Sequence, residues 1–176
     1  DDGVKNINLI QEVVQKMETL INDILNYSSI KEKSKDLEDV NIYELIKDIE
    51  KLILVPKHIS INIDENLPVI KADKIRIQQL FQNLISNAVN YSDKEKGFVN
   101  IGYIEKKKHH LFTVEDNGVG IPTEYHDKIF KVFESLGDHK DSTGIGLSIV
   151  KKIVDIYEGK IWLESEEGKV FIQFDN

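Results

Sequence analysis

Apolar residues in the first thirty positions recur at spacings of three and four. Ile7, Ile10, Val14, Met17, Ile21 and Ile24 form a stripe that Val13, Leu20 and Leu25 widen, and this predicts a helix over residues 6–30. Such a stripe fits a bundle or coiled-coil helix, or a helix packed on its own domain. The polar segment 31–36 follows like a linker and favours the bundle. Then the period changes. Residues 37–40 can form a short strand, and Asn41 with Glu44 makes a capping box for a helix over 42–54, stopped before Pro56. Ile59, Ile61 and Ile63 alternate with polar residues, as in a half-buried strand, and 64–68 reads as a turn. Asp73 can cap a long helix reaching about Tyr91. Strands are expected near 98–105 and 111–116, joined by the polar residues 106–110. Thr123 and Glu124 can cap a short helix ending near 130–133. A polar stretch without periodicity follows. Then Thr143-Gly144-Ile145-Gly146 leads into a helix to about Tyr157, and 160–165 with 169–174 reads as a closing hairpin. This order predicts an α/β (α+β) two-layer sandwich, a mixed sheet with helices packed on one face, preceded by a long N-terminal helix. Residues 1–35 and 36–176 are the expected units.

Composition changes little in that picture. The 176 residues are 40% apolar and 31% charged, ordinary for a globular protein. A formal charge of −8 and a pI of about 5.2 argue against a nucleic-acid surface. The absence of cysteine excludes disulfides and thiolate metal sites. No apolar run approaches a membrane span and no signal peptide is visible, so no membrane contact is expected from this segment. The chain lacks an initiator methionine and ends just after a strand-like run, which reads as a piece of a longer protein.

Three stretches carry candidate chemistry. Asp116 closes the alternating run 111–114 and opens Asn117-Gly118-Val119-Gly120-Ile121-Pro122. A carboxylate there can accept from an exocyclic amine, and glycines let a flat ligand approach the main chain. A tight turn with a solvated Asp116 is the plainer alternative. Asn83, Asn87 and Asn90 are spaced by four and three, on one helix face opposite Leu80, Phe81, Leu84, Ile85 and Ala88. Asparagine is a mediocre helix former, so three on one stripe suggest a site rather than a solvated face. An amide oxygen suits Mg²⁺, which takes few protein ligands besides water and phosphate. Gly144-Ile145-Gly146 meets a helix N-terminus, which offers N–H groups to phosphates, or is simply a helix start or flexible linker. The dinucleotide fingerprint fails, since Ile149 and Thr123 stand at the two possible third-glycine positions. Neither a Walker-type loop nor an Asp-Phe-Gly sequence occurs.

Together, four stretches resemble the N box, first glycine box, F box and second glycine box of sensor histidine kinases, in the same order and at matching separations. They are Asn83-Leu-Ile-Ser-Asn87-Ala-Val-Asn90-Tyr91, Asp116-Asn-Gly-Val-Gly-Ile-Pro122, Ile129-Phe-Lys-Val-Phe133 and Ser142-Thr-Gly-Ile-Gly-Leu-Ser-Ile-Val150. The resemblance implies a catalytic ATP-binding domain of the GHKL type. Residues 6–30, especially 17–28, look like the second helix of the dimerisation and histidine-phosphotransfer hairpin. By this resemblance Asp116 binds the adenine amine, and Gly118, Gly120 and Ile121 belong to the loop under the base. Asn87 is the Mg²⁺ ligand, Asn83 lies beside it, and Asn90 and Tyr91 lie near the phosphates. Thr143, Gly144, Gly146 and Leu147 pass under the phosphates. Residues 134–143 form a mobile lid hinged at Phe130 and Phe133, with Lys140 reaching the γ-phosphate. The implied partners are a histidine-bearing dimerisation helix outside this chain, a response regulator receiver domain and a second copy. The implied location is cytoplasmic.

The chain departs from the family pattern twice. Asn90 stands where a basic residue is usual, and the phosphoacceptor histidine is missing. His58, His109, His110, His126 and His139 lie on a strand start, in connections or in the lid. Two rival readings remain: a GHKL ATPase, and a non-catalytic ATP-binding or dimerisation module. The ATPases of this fold carry a glutamate four residues before the magnesium asparagine. Asn83 stands there, and an amide cannot take a proton from water. Transfer to a histidine is therefore expected in preference to hydrolysis.

Overall fold

The computed structural model describes residues 2–30, 37–107, 109–134 and 143–175. The first element is α1 (Asp2–Ser29). Most of its apolar stripe, including Ile7, Ile10, Val14, Met17 and Ile21, is exposed, whereas Ile30 just after it is fully buried in the core. Next come β1 (Glu38–Asn41) and α2 (Ile42–Leu52). The Asn41 side chain accepts from the Glu44 N–H at 3.2 Å, as the capping pattern implies. The turns of α2 stack Ile42, Leu45, Ile46 and Ile49 inward. This helix stops two residues before the expected end. Ile53 is already extended, with its N–H bonded to the Ile49 carbonyl, and the steric demand of Pro56 keeps the approach to it out of helix.

A strand that the alternation did not predict follows β2 (Ile59–Ile63): β3 (Val69–Ala72), paired antiparallel with β1 in a separate two-stranded sheet. It buries only Ile70 and Ala72. Two inward positions are too few to read as a period. α3 (Lys74–Asn90) starts at Asp73, whose carboxylate accepts from the Ile75 and Arg76 N–H groups at 3.0 and 3.3 Å. The Asp73 N–H itself donates to the Tyr157 hydroxyl at 3.0 Å, tying the start of α3 to the end of the last helix. β4 (Gly97–Glu105) and β5 (His110–Asp116) form the expected hairpin. The short helix expected after Pro122 is only a 3-10 turn over Thr123–Tyr125. Pro122, not Thr123, precedes it, and no side-chain cap is made. Irregular turns then run on towards Phe133, including Ile129 N–H to the Tyr125 carbonyl at 2.9 Å. α4 (Gly146–Ile156) and the hairpin of β6 (Ile161–Glu166) and β7 (Lys169–Asp175) close the chain.

The main sheet has five strands in the order β2-β4-β5-β7-β6. β2 and β4 run parallel and the remaining pairs are antiparallel, so the sheet is mixed, as expected. One sheet face presents Val99, Ile101, Phe112, Val114, Ile172 and Phe174 to the helices. The other carries a polar ladder in which Asn62 donates to Asn100, and Asn100 to Glu115. This division of the two faces makes the two-layer sandwich. The centre of the core is aromatic. Phe81 of α3 meets Phe112 and Phe174 edge-on at 5.8 and 5.7 Å, while those two stack at 5.3 Å across neighbouring strands. That contact fixes α3, and with it the asparagine stripe, against the strand that ends in Asp116.

Candidate nucleotide site

A cleft of about 500 Å³ opens between α3, the end of β5 and the start of α4. Its inner wall is apolar, with Leu84, Ala88, Val114, Ile129, Val170 and Ile172. Asp116 stands in this wall, 7% exposed. The Gly118 N–H donates to its Oδ1 at 2.8 Å and fixes the carboxylate orientation. Burial pushes the Asp116 pKa up to about 6. The Gly118 bond opposes that shift and the Glu115 charge adds to it. A buried carboxylate with one backbone partner keeps lone pairs for a ligand donor.

The glycines of this loop also answer a constraint that the local sequence does not show. A side chain at Gly118 would meet the Tyr91 carbonyl oxygen at 2.5 Å, and one at Gly120, where φ is +82°, would meet the Glu166 carbonyl oxygen at 2.3 Å. The space before each is filled by the chain's own backbone. The loop is thereby pressed between the end of α3 and the β6–β7 hairpin, with Val119 N–H bonded to Tyr91 O and Ile121 N–H to Ser165 Oγ. His126 adds a ring nitrogen 2.8 Å from the Ile121 carbonyl oxygen.

The opposite wall is the asparagine stripe. Asn83, Asn87, Asn90 and Tyr91 all line the cleft. Asn83 donates through Nδ2 to the Gln79 carbonyl at 2.7 Å, one turn earlier, which holds its side chain in place. Gly146 at the first position of α4 lets the two helices approach; a side chain there would meet Asn83 Oδ1 at 2.8 Å and Asn87 Nδ2 at 3.8 Å. The start of α4, where the first N–H groups have no partner within the helix, therefore faces the same space as the amides. Thr143, Gly144, Gly146 and Leu147 line it too.

Of the expected residues, Asn83, Asn87, Asn90, Tyr91, Asp116, Gly120, Ile121, Thr143, Gly144, Gly146 and Leu147 converge on this cleft. Gly118 acts from behind through its bond to Asp116. Phe133 is 63% exposed and is not among the lining residues. It takes a left-handed φ of 68°, and its N–H donates to the Gly144 carbonyl at 2.9 Å, so it joins the two ends of the 134–143 segment. Lys140 lies outside the described residues. Sequence reasoning missed Thr19 and Asp23 of α1, which also line the cleft, and did not single out Glu134. No local pattern could have revealed the first two, because they reach the site only through the docking of α1.

Comparison with known proteins gives the chain a family. Residues 72–174 match the family described as histidine kinase-, DNA gyrase B-, and HSP90-like ATPase. Cyanobacterial phytochrome B of Nostoc sp. is 33% identical over 174 residues, covering 95% of this chain and 23% of that protein. The chain thus spans about a quarter of that relative's length. The crystal structure of full-length ShkA in complex with AMPPNP superposes with a TM-score of 0.78 at 24% identity, over 99% of this chain and 38% of that one. The histidine kinase ThkA in complex with the response regulator TrrA gives a TM-score of 0.73 at 29% identity, over 97% of this chain and 50% of that one. More than half of the chain matches the family model, four motifs fall in register and the fold is shared, so the chain belongs to the histidine kinase-, DNA gyrase B- and HSP90-like ATPases, with the histidine kinases as its relatives.

Proposed function

We propose that this chain binds Mg-ATP and donates the γ-phosphoryl group to a histidine on a dimerisation helix outside the chain, for relay to a response regulator. The observation that carries this reading is Asp116: a buried carboxylate, oriented by Gly118, in an apolar cleft whose far end holds the start of α4. The apolar wall suits a flat base and the carboxylate accepts its exocyclic amine. The phosphates then extend towards Gly144, Gly146 and Leu147, where the N-terminus of α4 favours anions. Asn87 offers one neutral oxygen ligand to Mg²⁺. Water and phosphate oxygens complete such a shell. Bound there, the ion would offset phosphate charge.

The γ-phosphoryl group passes from its bridging oxygen to an imidazole nitrogen, leaving ADP. The residues of the chain position the donor, and positioning is most of phosphoryl-transfer catalysis. Hydrolysis is disfavoured because Asn83, already donating to Gln79, offers no carboxylate to activate water. The exposed apolar stripe of α1 supports a helical partner, including a second copy of the chain. The ThkA–TrrA complex supports a receiver domain as the next acceptor.

Nucleotide choice tests the reading. Guanine presents a carbonyl where adenine has its amine, so two acceptors would face each other at Asp116. A buried unpaired acceptor costs about 1–3 kcal/mol, or roughly five- to over a hundredfold in affinity. Calorimetry with Mg²⁺ should find ATP bound more tightly than GTP by such a factor. Equal affinities would remove Asp116 as the base reader.

A further inference from the structure

The C-terminal half of α1 is fastened to the domain at several points along one face. Ile30 is buried in the core, and the Arg76 guanidinium donates to the Ser29 carbonyl at 3.0 Å. The Lys152 ammonium donates to the Tyr27 carbonyl at 2.8 Å and sits 4.0 Å from the centre of the Tyr27 ring. One turn earlier, Asp23 Oδ2 accepts the Thr143 hydroxyl at 2.5 Å. Thr143 immediately precedes the glycine segment that leads into α4. Thr19, a further turn back, lines the same cleft as Asp23. So α1 closes one side of the cleft, and its carboxylate lies at the end where α4 begins.

Charge gives this contact a sign. The charged side chains among the described lining residues are Asp23, Asp116 and Glu134, and all are acidic. A nucleoside triphosphate stays anionic even with a bound divalent cation. Phosphates lodged at the start of α4 would therefore repel a carboxylate held at Thr143, in a partly enclosed site where screening is weak.

We propose that the docked α1 is an autoinhibitory strap: the Asp23–Thr143 contact and a bound triphosphate disfavour each other, and nucleotide loosens α1 on the N-terminal side of its Tyr27–Ile30 anchor. This rests on the nucleotide reading above. By linkage, whatever the phosphates do to the strap, the strap does to phosphate affinity.

The test compares ATP with adenosine, which lacks the phosphates, on the full chain and on Asp23→Asn, in Mg²⁺ and by calorimetry. The substitution keeps the shape and a Thr143 partner, so the fold should persist. ATP affinity should rise about fivefold or more and adenosine affinity should stay unchanged, with the ATP gain shrinking as salt is added. Amide hydrogen exchange over residues 17–26 should speed up when ATP binds the native chain. A merely structural role would move both ligands alike, and that result overturns the proposal. So does an unchanged or weakened ATP affinity in the variant, or exchange in α1 that slows with ATP. Failure of both ligands to bind either protein would instead overturn the nucleotide reading, and the strap with it.

Discussion

In the proposed site, Asp116 would carry opposing demands of stability and binding on one side chain. Its pKa of about 6 stands above the ordinary 3.8, chiefly through burial. Between those values the folded chain binds more protons than the unfolded one. The Asp116 contribution to stability is therefore full below about pH 4 and is lost as pH rises through about 6. The ionised group costs on the order of 3 kcal/mol above that range. Asp116→Asn, which keeps an oxygen for the Gly118 N–H, should melt higher than the native chain at pH 8 and show no such gain at pH 4. It should also bind ATP more weakly. A variant that loses stability equally at both pH values would contradict the burial argument. If the ionised Asp116 accepts the adenine amine as proposed, affinity in the native chain should decline below about pH 6 and level off above it, and the variant should show no such slope. Asn87 is the other residue whose proposed role is separable. It lies half-buried on the polar side of α3, away from the core, so Asn87→Ala should leave the melting temperature nearly unchanged. ATP titrations in Mg²⁺ and in EDTA should then converge for the variant. If the metal still strengthens binding as it does in the native chain, Asn87 is not its ligand.

At the scale of elements, the glycine loop works because it is wedged between α3 and the closing hairpin. Gly120→Ala would place a side chain 2.3 Å from the Glu166 carbonyl, on a backbone with φ of +82°. The backbone conformation alone costs roughly 1–2 kcal/mol, and the collision with main chain cannot be relieved by a rotamer. Urea unfolding should show a loss of at least this size, accompanied by weaker ATP binding. A neutral result would mean the loop is free of the hairpin. This element also marks where the sequence was legible and where it was not. The spacing of Asp116, Gly118 and Gly120 points to the site, but the crowding that also demands the glycines is not visible there. What crowds them lies on Tyr91 and Glu166, distant in sequence. The asparagine stripe was legible because a helix writes its faces at fixed spacing. β3 was not, because four residues carry too little alternation, and its pairing with β1 is decided by tertiary contact. The helix expected after Pro122 is only a turn, since acidic and hydroxyl residues near a proline mark a start without fixing a length.

For the whole molecule, the sandwich and the order of its motifs could be read from the chain, but the docking of α1 could not. Its bond partners Asp23 and Thr143 are 120 residues apart, and no local period connects them. The apolar stripe that announced α1 remains mostly exposed, and the residues fastening it to the domain, Asp23, Tyr27, Ser29 and Ile30, lie towards its C-terminal end. A partner helix is proposed for this stripe, and the acceptor histidine of the proposed reaction would come from such a helix. The chain alone should therefore bind ATP without labelling itself and hydrolyse it only slowly. The most direct measurement adds a histidine-bearing helical hairpin that docks beside the cleft, together with Mg²⁺ and ATP labelled at the γ-phosphate, and follows the label on both polypeptides. The account predicts an acid-labile, base-stable adduct on the added hairpin, lost when its histidine or Asp116 is replaced, and none on this chain. Label retained by this chain without the hairpin, and removed by replacing one of its own histidines, would contradict it.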